Sequence, residues 1–386
     1  MENIDTMGSE MDAAVLHGGL PLDPGSLFVL FITLCGFMLP IFILFPPVPP
    51  RKSDALLDTH TKLGVEPAQS GLKDQYVERP ATSEATVKSI FVYPIKSCKG
   101  IEVARSRVLP TGLEFDRLFT FAQLKSPFPV AVGASDEEKS RHRWDFITIR
   151  QFPLLATVEV ELWRPDVAKL QAKRQKAWAQ TDAYIVVRFP WQEPGIRGTL
   201  AWLAAKVARG FSAKPEKEFI LPVEFPSEEE IKEKGYTYGE VKIWNEMPLG
   251  LNMSSEIPPE LPRYLGVSNK MGLFRVDPTK LREVYRCAPQ KDEAGYQPVT
   301  GFQDAYPLHL ISLSSVRDLG SRLLAKDENI LNLDVRRFRA NIIIDGQEAY
   351  EEESWKSIRI KPSAVQAAQT SGLEAADFHV SCRTVR

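Results

Sequence analysis

Residues 26–45, SLFVLFITLCGFMLPIFILF, are twenty consecutive positions without a charge. At about 1.5 Å per residue such a run reaches about 30 Å, the thickness of a bilayer's hydrocarbon core. The pattern predicts one transmembrane helix kinked at Pro40, a kink that membrane helices tolerate, with a buried core helix as the alternative. Residues 1–25 form an acidic tail with Glu2, Asp5, Glu10, Asp12 and Asp23 and no Lys or Arg, whereas Arg51 and Lys52 follow the span. The positive-inside rule therefore puts the C-terminal bulk in the cytosol. PPVPP at 46–50 reads as a stiff spacer, and 51–85 is polar with little periodicity, so 46–85 is expected to be a flexible linker.

Beyond Thr86 the period shortens. Residues 87–95, 101–109 and 115–123 read as strands, with PTG at 110–112 as a turn. The stretch 124–143, ending in SDEEKSRHR, breaks the pattern and reads as an exposed insertion with His142 solvated. LLATVEVELW at 154–163 alternates Val158, Val160 and Leu162 against Thr157, Glu159 and Glu161, the signature of a strand with one buried face. Residues 166–180 suggest a charged helix and 183–189 a strand. A helix over 199–209, closed by Gly210, puts Leu200, Leu203, Ala204 and Val207 on one face. Core packing is the leading reading of that face, with docking to a membrane or partner as the alternative. SEEEIKEK at 227–234 reads as a solvated face. VKIW at 241–244 is a strand and PPELPRYLG at 258–266 a short helix. Residues 301–325 run from loop to strand to a helix capped by serines near 312–315, with Val316, Leu319 and Leu323 inward and His309 in the core.

Composition narrows the class. A chain of 386 residues has room for about two or three domains. Its net charge of −2 lacks the basic excess of a nucleic-acid binder. Cys35, Cys98, Cys287 and Cys382 contain no CxxC pair, which argues against a zinc site or disulfide framework and favours a reducing compartment.

Two stretches carry chemistry. FVYPIKSCKG at 91–100 runs an apolar strand into a turn bearing Lys96, Ser97 and Lys99, a combination suited to gripping phosphate, although a plain polar turn would look the same. In RRFRANIIIDG at 336–346, a buried strand Ile342–Ile344 follows Arg337, Arg339 and Asn341. An Arg fork can hold phosphate bidentately and an amide can read a heterocycle edge, whereas arginines at a strand start are otherwise a surface feature.

YPIKSCKG, then GLEFDR at 112–117, then RFRANI at 337–342, occur in the order seen in the MOSC family, and from about residue 86 onward the chain resembles its membrane-anchored, amidoxime-reducing branch. The resemblance implies an α+β, predominantly mixed-β fold: a MOSC-type β-barrel core, an N-terminal β-rich subdomain, peripheral helices and a preceding transmembrane helix. It divides the chain into an N-terminal β-barrel-like domain at 86–265 and a MOSC domain at 266–386, with a cofactor cleft between β-rich subdomains. It implies a molybdenum cofactor, Mo-molybdopterin, held by Lys96, Ser97, Arg117, Arg339 and Asn341, with Arg150 of TIRQ (148–151) as a further candidate. Pyridoxal phosphate binding is associated with the family only in general terms.

In that reading the cofactor performs the redox step, and N-hydroxylated compounds such as amidoximes are reduced with electrons from a b-type cytochrome and its flavin reductase. Nucleic acid is not an expected partner. The alternatives are a sulfur-carrying MOSC domain and a non-catalytic, membrane-tethered cofactor-binding protein. The mitochondrial outer membrane is the favoured location, with the endoplasmic reticulum next. The family's loop of Asp followed by small hydroxyl residues appears as Asp304 with Ala305 and Tyr306. Its metal-binding cysteine follows an Arg that resembles Arg386, so the chain is expected to be C-terminally incomplete and, in that form, to hold little molybdenum and lack reductase activity. Cys382 is a substitute thiol, offset by an odd number of positions that would turn it to the other strand face.

Overall fold

In a computed structural model, residues 23–44, 51–82, 84–129, 131–172, 182–326, 332–370 and 372–383 are described. They divide into two compact units, one carrying the N-terminal helix together with residues 193–214, the other made of 51–192 and 215–386.

In the first unit, the expected apolar run forms the helix Pro24–Leu44, with Pro40 inside it and large side chains from Leu27 to Leu39 exposed. Its described side chains end at Pro40. Among the described residues no helix is long and apolar enough to cross a membrane. The acidic tail at 1–22 and the proline spacer lie outside the described residues.

The second helix of that unit, Ile196–Arg209, ends at Gly210 with φ 95°. The core reading of this helix is overturned. Leu200, Leu203 and Val207 are exposed, Val207 at 82%, whereas the side of the helix that is buried carries Gly198 and Ala205.

In the second unit, a closed five-stranded barrel is formed by Thr237–Lys242, Leu249–Asn252, Met271–Val276, Phe119–Lys125 and Arg143–Phe146. The closing pair, 143–146 with 237–242, is parallel. Phe121, Ala122, Val241, Leu251, Leu273 and Phe274 are fully buried in its strands. Trp144 lies so close to Gly272 that an added Cβ would meet its ring at 2.7 Å, so only glycine fits beneath the indole.

A second sheet orders Leu310–Ser312, Ile342–Asp345, Thr86–Val92 and Ile101–Val103. Thr86–Val92 is antiparallel to both its neighbours, and Leu310–Ser312 is parallel to Ile342–Asp345. The expected 101–109 strand breaks after Val103, and Val108–Leu109 pairs instead with Gly112–Leu113.

A third sheet orders His60–Leu63, Glu159–Pro165, Tyr184–Pro190 and Glu216–Pro222. Two expectations change here. Residues 51–77 are not a tether: His60–Leu63 pairs with 162–165, and Ser53, His60, Leu72 and Gln75 are buried. The strand expected over 154–163 begins at Glu159, after a 3-10 turn at Pro153–Thr157. Its supposed solvent face is covered at Glu161, which is buried and bonded by Lys62 and Arg188, while Glu159 stays about half exposed.

Three further helices have well-defined ends. Ser227 caps Glu228–Glu233 and Gly266 ends Glu260–Leu265. Ser312 caps Leu313–Leu324, where Val316 is buried but Leu319 and Leu323 are only half-buried. Of the charged helix expected over 166–180, Val167–Ala172 is helical and 173–180 lies outside the described residues.

Candidate anion-binding site

The site forms where the second sheet feeds the barrel. The strand Thr86–Val92 ends, Ile95 bridges to Phe119, and the Lys96 N–H donates to the Phe119 carbonyl at 2.8 Å. This fixes the turn 93–100 against the segment that carries Arg117. Asn341 immediately precedes the strand Ile342–Asp345, which pairs with Thr86–Val92. Sheet register thus gathers three remote segments.

Asp116 organises the first cluster. Its Oδ1 accepts from the Tyr93 N–H at 2.9 Å, from Arg117 Nη1 at 2.7 Å and from Asn341 Nδ2 at 3.0 Å. Arg117 also donates to Asn341 Oδ1 at 3.0 Å and to the Arg339 carbonyl at 3.2 Å. Both guanidinium groups lie over the Tyr93 ring, Arg117 at 4.5 Å and Arg339 at 4.4 Å from its centroid, in cation–π geometry. Gly100 permits this, since a Cβ there would meet the Tyr93 ring at 2.4 Å. Gly100→Ala is therefore expected to displace the ring and weaken anion binding, measurable by titration with inorganic phosphate. Unchanged affinity would show that Tyr93 does not align the arginines.

Arg339 Nη1 donates to the Cys98 carbonyl at 2.6 Å, while its buried Nη2 has no hydrogen-bond partner. Burial, and then the neighbouring Arg117, pull its pKa below the usual range. Two cations stacked on one ring with an unspent donor make a site that an anion would complete. Ser97, Arg117 and Arg339 all have left-handed backbones, with φ of 70°, 49° and 57°. Such conformations cost a non-glycine residue on the order of 1–3 kcal/mol and cluster where side chains must be aimed.

Lys96 heads the second cluster. It is buried and donates to the Phe302 carbonyl at 2.8 Å and to Asp304 Oδ1 at 2.7 Å, which also accepts from Trp244 Nε1 at 2.9 Å. Burial lowers the Lys96 pKa to about 8, against the opposing pull of Asp304, and Arg117 adds to the lowering. Asp304 thus reaches the site despite Ala305 and Tyr306 beside it. Arg150 joins indirectly, 5.8 Å from the Trp244 ring centroid.

Lys96, Ser97, Arg117, Arg339 and Asn341 are thereby brought together, with Arg150 at the periphery. Tyr93, Asp116 and Trp244 were missed. Tyr93 and Asp116 stand inside the quoted motifs, but their bonding depends on tertiary contacts; Trp244 carries no local signal.

The thiols are placed differently. Cys98 is fully buried and burial pushes its pKa up to about 12, so it is held as a neutral thiol. Cys382 is exposed and lines a cavity of about 760 Å³ with Gly112, Tyr306, His309, Phe338 and Ile342. Arg386 lies outside the described residues. Among the described residues, no group of three or more His, Cys, Asp and Glu side chains is placed to hold a metal ion.

The expected core residue His309 is half-buried, and its N–H donates to Asn341 Oδ1 at 3.2 Å. Burial, with Arg117 second, lowers its pKa from 6.5 to about 4. Between those values the unfolded chain binds the proton and the folded chain does not, so stability falls as pH drops through this window. His309→Gln is expected to flatten that part of the pH–stability profile followed by urea unfolding. An unchanged profile would mean that the imidazole is not held neutral.

Residues 84–192 match the MOSC N-terminal beta barrel domain and residues 297–383 match the MOSC domain. The chain carries both MOSC domains. The first match holds Lys96, Ser97, Arg117 and Arg150, and the second holds Asp304, Arg339 and Asn341, so the anion site is built across the two.

The chain is 25% identical over 284 residues to mitochondrial amidoxime reducing component 2 of Rattus norvegicus, covering 71% of this chain and 61% of that protein. It is 31% identical over 115 residues to mitochondrial amidoxime-reducing component 1 of Danio rerio, covering 29% of this chain and 32% of that protein. It is also 47% identical over 55 residues to molybdenum cofactor sulfurase of Arabidopsis thaliana, covering 13% of this chain and 7% of that protein. The chain thus spans about three fifths of the first relative's length. The relatives are thus two amidoxime-reducing components and a molybdenum cofactor sulfurase.

Proposed function

We propose that this chain binds a molybdenum cofactor of the Mo-molybdopterin type and reduces N-hydroxylated compounds such as amidoximes. The observation that carries the reading is Arg339, whose buried Nη2 lacks a partner while Arg117 stands over the same Tyr93 ring. Such a pair fits a phosphate-bearing group. Arg117 and Arg339 would hold the phosphate with Lys96, the turn at Ser97 would lie against it, and Asn341 would keep Arg117 aligned through Oδ1. The cofactor, when bound, supplies the two-electron chemistry that converts N–OH to N–H with release of water. The chain's own part is to grip and orient it and to keep Lys96 and the arginines charged around it. Electrons would come from a b-type cytochrome and its flavin reductase.

The test is to express the full chain with cofactor supply, assay bound molybdenum and pterin, and measure amidoxime reduction with both electron donors. Cofactor retained with turnover supports the proposal, and a protein that takes up no pterin defeats it. A second reading, a sulfur-carrying MOSC domain, rests on the short match to the Arabidopsis sulfurase. It would be favoured by a pterin-loaded protein that reduces no amidoxime.

The proposal includes anchoring by 26–45, with the MOSC domains facing the cytosol from the mitochondrial outer membrane or the endoplasmic reticulum. Its support is the uncharged sequence and the basic residues Arg51 and Lys52 on the C-terminal side. Protease added to intact organelles should remove the MOSC domains. Their survival while the membrane is unbroken would refute this orientation.

A further inference from the structure

The helix Ile196–Arg209 is amphipathic in the wrong sense for a core element. Ile196, Leu200, Leu203 and Val207 recur at helical spacing and are exposed by 80%, 60%, 54% and 82%. Gly198 and Ala205, two turns apart on the opposite side, are buried. A Cβ at Gly198 would meet the Glu193 carbonyl oxygen at 1.6 Å, so only glycine fits where the incoming turn folds against the helix. Phe211, 91% exposed, extends the apolar face beyond Gly210.

Charge and placement say what covers this face. Residues 194–215 contain Arg197, Lys206, Arg209 and Lys214 and no Asp or Glu. Lys206 lies at the flank of the apolar face, 4.9 Å from the Trp202 ring centroid, with Nζ donating to the Phe211 carbonyl at 2.5 Å. Residues 193–214 fall in the same compact unit as the helix Pro24–Leu44. An apolar face, a basic charge set over 194–215 and an aromatic at the end of the helix are the features of a helix lying in a membrane interface, and anionic headgroups would complement the basic residues.

We propose that Ile196–Arg209 with Phe211 is an interfacial docking element that inserts its apolar face into an anionic bilayer surface. It would be a second membrane contact besides residues 26–45. The inference builds on the anchoring reading of 26–45.

The test uses the full chain in phosphatidylcholine–phosphatidylserine vesicles, with Cys35, Cys287 and Cys382 changed to Ser and one environment-sensitive thiol label introduced at a time. Sites are Leu203→Cys on the face, Phe37→Cys in the apolar helix, and Glu229→Cys on the solvated helix as control. The Leu203 label should be quenched by spin-labelled lipid and shielded from aqueous iodide, with quenching reduced when phosphatidylserine is omitted. Leu200→Glu with Val207→Glu should abolish the lipid quenching at Leu203. Since both residues are exposed, this variant should keep the parent's unfolding midpoint.

Lipid quenching at Phe37 but iodide access at Leu203 would overturn the docking element and leave the anchor standing. No lipid quenching at either site would overturn the anchor as well. A Leu203 label shielded from both quenchers would mean that protein, a partner or a second copy, covers the face, and would also overturn the proposal.

Discussion

Arg339→Ala is expected to lower pterin and phosphate affinity by about ten- to a hundred-fold, the equivalent of a lost charge-assisted hydrogen bond of roughly 1.5–3 kcal/mol. Its effect on folding should be much smaller. The variant loses the bond to the Cys98 carbonyl, but it also removes the repulsion by which Arg117 helps to lower the Arg339 pKa. Arg117→Ala should behave differently, because Asp116, with no side-chain exposure, would lose its ion-pair partner. It should lower both affinity and the unfolding midpoint. A merely structural role for Arg339 would instead produce parallel losses in both measurements.

The same site has a pH signature. With the Lys96 pKa lowered to about 8, the ligand-free ammonium is charged at neutral pH and loses its proton as pH rises through that value. Phosphate affinity should fall over this range in the parent and show no such fall in Lys96→Met. An identical pH profile in the two would remove Lys96 from the grip.

The site was legible in the sequence to the extent that its residues lie at strand ends. Lys96 and Arg117 flank the junction into the barrel, and Asn341 precedes an isoleucine run that had to be a buried strand. What could not be read is what register supplies: Asp116 bonding Tyr93, Arg117 and Asn341 at once, or Trp244 reaching Asp304. The segment 51–77 misled for a related reason. Its polar residues are satisfied by partners far along the chain, Ser53 by Glu218 and His60 by the Asp182 carbonyl, and no local period reports such pairing. The 196–209 helix misled in the opposite sense, because spacing shows that apolar residues share a face but not whether that face points inward.

Ser53 belongs to the network on which the largest stability effect is expected. Arg188 donates from Nη1 to Glu161 at 2.5 Å, from Nε to Glu218 at 2.8 Å and from Nη2 to Ser53 Oγ at 2.9 Å. All three charged side chains are nearly enclosed. Burial opposes ionisation of both carboxylates, but Lys62 and Arg188 outweigh it at Glu161, and Ser53 and Arg188 do so at Glu218, so both pKa values lie below the usual range. Arg188→Ala leaves two buried carboxylates short of a cation and should destabilise the protein by about 3–5 kcal/mol near neutral pH, measured by urea unfolding. The sign of the pH dependence follows from the depressed values. In the parent, the network's contribution is present above the ordinary Glu pKa of 4.5 and is lost as pH falls below it. In Arg188→Ala the enclosed carboxylates favour the neutral form, so acid relieves the defect and the gap between the two proteins should narrow. Replacing Arg188, Glu161 and Glu218 together by Met, Leu and Leu should recover much of the loss, since an apolar set of similar volume needs no desolvated charge. A gap under about 1 kcal/mol that does not change with pH, the size of an exposed pair, would show that water reaches the network and that it contributes no more than a surface salt bridge.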